Sequence, residues 1–152
     1  MSETTLLACP ISAERINENA ARTVAVLVVF LTLTGLISAS WPLFLLLALD
    51  FALRAFSSGR FSLLRFAAIR ITRLLNIPEK PTDAAPKKFA AGVGLAFSLG
   101  IALLLALNWP VAAWTVGGIL LICAVLEGAF GFCLGCVVYS MLVVPFSQRF
   151  SK

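Results

Sequence analysis

The sequence predicts an all-α membrane protein with four transmembrane helices arranged as two hairpins. A basic amphipathic interfacial helix lies between the hairpins, and a short C-terminal helix follows a glycine-rich bend. Three observations predict this. Of 152 residues, 61% are apolar and only 12% charged, far from the balance of a soluble domain. No residue from Thr23 to Leu49 carries a charge. The basic residues collect in the middle of the chain, where Arg54 to Lys88 holds eight Lys or Arg against Glu79 and Asp83.

Taken as one straight helix, Thr23 to Leu49 would be about 40 Å long, more than a bilayer core of about 30 Å. Ser38-Ala39-Ser40-Trp41-Pro42 lies in its middle and supplies a turn, because proline cannot donate to a helix and tryptophan favours the membrane interface. The run therefore divides into spans at about 22–38 and 42–56. A second hairpin repeats the pattern, with spans at about 89–107 and 111–128 joined at Asn108-Trp109-Pro110. Both Trp-Pro turns are uncharged, whereas the central loop and the C-terminal Arg149 and Lys152 are basic. The positive-inside rule then places both termini and the central loop in the cytoplasm. Glu3, Glu14 and Glu18 precede the first apolar run, so the N-terminus does not read as a secretory signal. The expected protein is an integral membrane protein, with the whole chain as one membrane domain.

Between the hairpins, residues 60–76 have helical periodicity. Leu63, Leu64, Ala67, Ile71, Leu74 and Leu75 fall on one face, and Ser62, Arg65, Arg70, Thr72, Arg73 and Asn76 on the other, with Phe66 and Ile69 as exceptions. Such a helix lies along the inner leaflet with Arg65, Arg70 and Arg73 facing anionic lipid headgroups. Pro78, Pro81 and Pro86 end it and lead into the third span.

Asp50 falls nine residues past Trp41, about 13 Å into the bilayer, where a carboxylate is costly unless paired. Arg54, one turn on, is its natural partner. Glu127 and Arg22 lie at matching distances from their respective turns, so an inter-helix pair between them is expected. Glu127 also has a second reading, as a group serving the nearby thiols.

The chemistry is in the cysteines. Cys133-Leu134-Gly135-Cys136 follows Gly128 and Gly131, where the chain must bend, since Val111 to Val144 as one helix would reach about 51 Å. Pro145 is expected to stop the segment. A thiol at the start of a helix has a lowered pKa, which makes Cys133 the expected attacking residue and Cys136 the resolving one. Cys9-Pro10 places a third thiol on the same membrane face, held by a first helix that Ser12 could cap. The chain has no histidine, which removes Ser-His-Asp and Cys-His catalysis and the common zinc sites. Neither a metal nor a cofactor is expected, and Cys123 reads as a packed small hydrophobe.

These residues together resemble a family of small bacterial integral membrane proteins described only as a domain of unknown function. The resemblance is carried by Cys9-Pro10, Asn17-Glu18, Arg22, Asp50-Phe51 and Arg54. It continues through Pro86-Lys87-Lys88-Phe89-Ala90-Ala91 to the segment from Glu127 to Cys136, and ends at Tyr139. It implies a multi-span inner-membrane protein with a thiol-bearing inner face. The Gly131-Phe132-Cys133 segment also looks like the membrane tail joined to some rhodanese domains, which implies sulfur transfer by analogy.

The leading functional expectation is a disulfide or persulfide relay at the cytoplasmic face, using Cys133, Cys136 and Cys9 beside Glu127. A soluble thioredoxin-like or rhodanese-like protein would be the partner, and nucleic acid would not. The alternatives are a small oligomeric transporter or channel, with Asp50, Arg54, Glu127 and Arg22 along a polar path, and a membrane scaffold for a soluble partner.

Overall fold

The computed structural model describes residues 15–57 and 60–150. Among them are six α-helices: α1 (Glu18–Ile37), α2 (Trp41–Phe56), α3 (Leu63–Leu74), α4 (Ala84–Ala106), α5 (Pro110–Val125) and α6 (Leu134–Phe150). A π-helical turn, Leu126–Phe130, extends α5. Two short strands, β1 (Arg15–Asn17) and β2 (Pro81–Asp83), pair antiparallel.

The expected four spans in two hairpins are corrected. Among the described residues three helices are long and apolar enough to cross a membrane: Glu18–Ile37, Ala84–Ala106, and Pro110–Phe130 with the π turn included. Helix α2 has 16 residues, about 24 Å, and falls short of a core of about 30 Å. The pairing differs too. Helix α2 packs chiefly along α4 rather than α1, while α1 packs on α3 and α5. Small residues permit the α2–α4 contact: Gly94 leaves the space that the Phe51 ring occupies, and a Cβ there would come within 2.5 Å of the ring. Phe44, Leu36 and Ile101 form the fully buried centre.

Both Trp-Pro turns form where the sequence placed them, at the end of the bundle away from the strands. Each closes its helix with a left-handed residue, Ala39 (φ 48°) and Asn108 (φ 58°). Each also makes the long backbone bond of a Schellman cap, Ser40 N to Gly35 O at 3.0 Å and Trp109 N to Leu104 O at 2.9 Å.

Helix α3 is capped by Ser62, whose Oγ accepts from Arg65 N at 3.1 Å. Its protein-facing side is narrow, with Ala68 and Thr72 buried. Leu63, Phe66 and Leu74 stand 80%, 63% and 81% exposed, so the larger apolar side chains are left uncovered by protein.

Asn17, not Ser12, caps α1. Its side chain accepts from Asn19 N at 3.0 Å and from Lys80 N at 3.3 Å. Glu18 N donates to Lys80 O, and Asn19 Nδ2 donates to Pro78 O. Pro81 therefore sits in a two-stranded ribbon, where both strands are edges and a missing donor is tolerated. Ser12 and Cys9 lie outside the described residues. The C-terminal helix is not short: α6 runs 17 residues and passes through Pro145, which was expected to stop it. A proline inside a helix forfeits one backbone bond without ending the helix.

Candidate functional site

The last third of the chain turns back on the first helix because of two glycines. A Cβ on Gly128 would touch Val26 and the Arg22 carbonyl of α1. Gly131 has φ 66°, and the Arg22 guanidinium fills the place where its Cβ would be. The π turn thus lies flat on α1, and α6 starts immediately beyond it, with Val137 N donating to Cys133 O at 3.1 Å. Gly135 then seats α6 on Ala90 of α4.

This start of α6 sets Cys133 and Cys136 within hydrogen-bonding reach, and both are reduced and half-buried. The Cys133 thiol donates to Cys136. That bond pushes the Cys133 thiol well above the ordinary thiol range, with burial and the Glu127 carboxylate adding to the effect. It pulls Cys136 below that range, helped by Lys87 against burial and Glu127. The two thiols share one proton, held on Cys133 in this arrangement.

Two spaces meet at this point. A polar cleft of about 360 Å³ holds both cysteines, the Glu18–Arg22 pair, Lys87 and Glu127. A mainly apolar cavity of about 330 Å³ lies between α1 and α4 and is lined by Val24, Phe51, Phe97 and Leu120 among others. Lys87, Glu127 and Cys133 border both spaces, whereas Cys136 borders the cleft alone and Cys123 the cavity alone.

The other charged residues are placed as follows. Arg22 does not reach across to Glu127; its Nη2 bonds Glu18 Oε1 at 2.9 Å within α1. The cations that face Glu127 are Lys87 and Arg54. Asp50, 8% exposed, holds Arg54 Nε at 3.0 Å as expected. It does something further, accepting Ser62 Oγ at 2.7 Å and Leu64 N at 3.2 Å at the start of α3. The Arg54 guanidinium lies 4.4 Å over the Phe51 ring, and its buried Nη2 makes no hydrogen bond among the described residues. Arg70 stacks on Phe66 and, like Arg73, is exposed, but Arg65 lines the cavity rather than facing outward with them. Among the described residues no three His, Cys, Asp or Glu side chains gather as a metal site would need.

Sequence reasoning missed the cavity, the cleft and Lys87. The only sign of Lys87 was its place in the Pro86-to-Ala91 segment on which the resemblance was drawn.

A family profile described as a domain of unknown function, DUF4395, matches residues 16–143. The chain belongs to the DUF4395 family. The DUF4395 match takes in every described helix but the end of α6, and with them the thiol pair, the cleft and the cavity; Cys9-Pro10 precedes it. No curated protein and no solved structure matches the chain.

Proposed function

We propose that this membrane protein is a dithiol carrier that exchanges with sulfur–sulfur bonds presented at the polar cleft. The observation that carries the reading is the pair itself: Cys133 and Cys136, both reduced and one helical turn apart, border the polar cleft beside Lys87 and Glu127. The Cys136 thiolate attacks one sulfur of a disulfide on a soluble partner, and the other sulfur leaves as a thiolate. Cys133 then gives up its proton to that leaving thiolate and attacks Cys136 Sγ, releasing the partner's second sulfur. The partner gains two electrons and one proton from the pair as it closes to a disulfide, and the partner's second sulfur leaves as a thiolate that takes its proton from water. The same attack on the outer sulfur of a persulfide breaks its sulfur–sulfur bond, leaving a persulfide on Cys136 and releasing the donor as a thiolate. A thioredoxin-like or rhodanese-like protein is the class of partner that carries such bonds.

A chromogenic aromatic disulfide tests this in a background with Cys9 and Cys123 replaced by serine. The intact pair should release two equivalents of coloured thiolate. Cys133→Ser should release one equivalent at a comparable rate and stay in the mixed disulfide, and Cys136→Ser should be slow. Equal rates from the two single variants would remove the carrier reading.

We further propose that the end of the bundle bearing the thiols, α3 and the strands faces the cytoplasm, because the central basic residues are gathered there. Cysteine introduced at Ser40 or Asn108 should react with an impermeant maleimide in intact cells. Reaction at Ser57 or Thr82 instead would invert the orientation. A polar conduit finds less support, since Asp50 is engaged by α3 and Arg22 by Glu18.

A further inference from the structure

The cavity between α1 and α4 has two unlike ends. Toward the strand ribbon it is lined by Arg54, Arg65, Lys87 and Lys88, against Glu127 as the one carboxylate among its lining residues. Toward the centre of the bundle the walls are Val24, Val28, Val93, Phe97 and Leu120. We propose that this cavity binds a single-chain amphiphile with an anionic head, the head at Arg54 and Lys87 and the tail along Val24, Val28 and Phe97.

Three features support this occupant. Buried donors without acceptors are rare because they lose their water without replacement, and Arg54 Nη2 is one. A carboxylate or phosphate oxygen would satisfy it. The volume, about 330 Å³, is at the small end of ligand cavities and holds about ten water-sized units, room for one short chain but not for a two-chain phospholipid. Each simpler ligand matches only half of the site: a bare inorganic anion leaves the apolar walls unfilled, a neutral alkane leaves Arg54 Nη2 without an acceptor, and an alcohol offers it a weaker acceptor than an anion would. The proposal does not depend on the thiol chemistry above.

The protein in nanodiscs of zwitterionic phosphatidylcholine should be titrated with dodecanoate, dodecanol and acetate, by calorimetry and by alkylation rates at each cysteine. Dodecanoate should bind one per chain, with dodecanol and acetate each weaker by about tenfold or more. Bound dodecanoate should slow alkylation of Cys123 and Cys133, which line the cavity, and spare Cys136, which does not. Lys87→Gln should bring dodecanoate down toward dodecanol. Ala21→Leu, which adds bulk from the α1 wall, should weaken both. Equal binding of dodecanol and dodecanoate would overturn the proposal, as would protection of Cys136 alone or full binding to Ala21→Leu. Should Ala21→Leu fail to fold, the Lys87→Gln comparison and the protection pattern still decide.

Discussion

Replacing Asp50 with alanine is expected to destabilise the protein by about 3–5 kcal/mol, because it strands the Arg54 guanidinium in a buried setting. The same carboxylate accepts the Ser62 hydroxyl and the Leu64 amide, so α3 also loses an anchor at its positive end. The double change Asp50→Ala, Arg54→Ala should recover the part due to the stranded charge but not the part due to α3, which is worth about 1–2 kcal/mol for a lost helix cap. Asp50→Asn separates the two, keeping an acceptor for α3 while removing the ion pair. Thermal unfolding in one neutral detergent orders the variants. If single and double changes are equally damaging, Asp50 acts without Arg54 and the paired-charge account is wrong.

The second large effect concerns the acidity of Cys136. Because the Cys133 thiol donates to it and Lys87 stands near, its thiolate should persist to lower pH than an ordinary cysteine's, while burial and Glu127 act against this. Alkylation of Cys136 by iodoacetamide should therefore fall off at a lower pH than that of an ordinary cysteine, with Cys133 slower than Cys136. Cys133→Ala removes the donor and should shift the Cys136 profile to higher pH, cutting its rate near pH 7 several-fold. Cys133→Ser keeps a hydroxyl donor and should hold the profile close to that of the intact pair. Coincident profiles for the alanine and serine variants would show that the hydrogen bond does not set the acidity.

What the sequence revealed was local. The Trp41-Pro42 and Trp109-Pro110 turns, α3 and the Asp50–Arg54 pair each depend on residues within a few positions of one another, and all appear. The number of spans did not follow, because an apolar stretch records which residues tolerate lipid and not how far one helix persists; α2 ends at Phe56 after 16 residues. Matching depths suggested Arg22 with Glu127, but Glu18 lies one turn away on the same helix and takes the guanidinium. The Ser62 bond to Asp50 needs the corner between α2 and α3, which no periodicity encodes. The cavity needs α1 and α4 to face each other across a gap, a property of six helices at once. The thiol pair was legible from its spacing, but its place at the cleft beside Lys87 depends on the packing of the π turn on α1 and of α6 on α4.

The ribbon that joins Asn17 to the segment before α4 has a consequence for the order of assembly. Its partners are 63 residues apart at the Lys80–Asn17 bond, and closing such a loop costs about 4 kcal/mol in chain entropy. Two three-residue strands, with bonds worth about 1 kcal/mol each before their own ordering is counted, cannot hold that loop closed unaided. The strands must therefore join after α2 has docked on α4 and the intervening chain is already short in space. During synthesis α1, α2 and α3 leave the ribosome well before Pro81, so β1 waits unpaired until the third apolar helix is in place. The ribbon is thus a late event in folding, and the end of the cavity bordered by Ile16 and Asn17 is completed last.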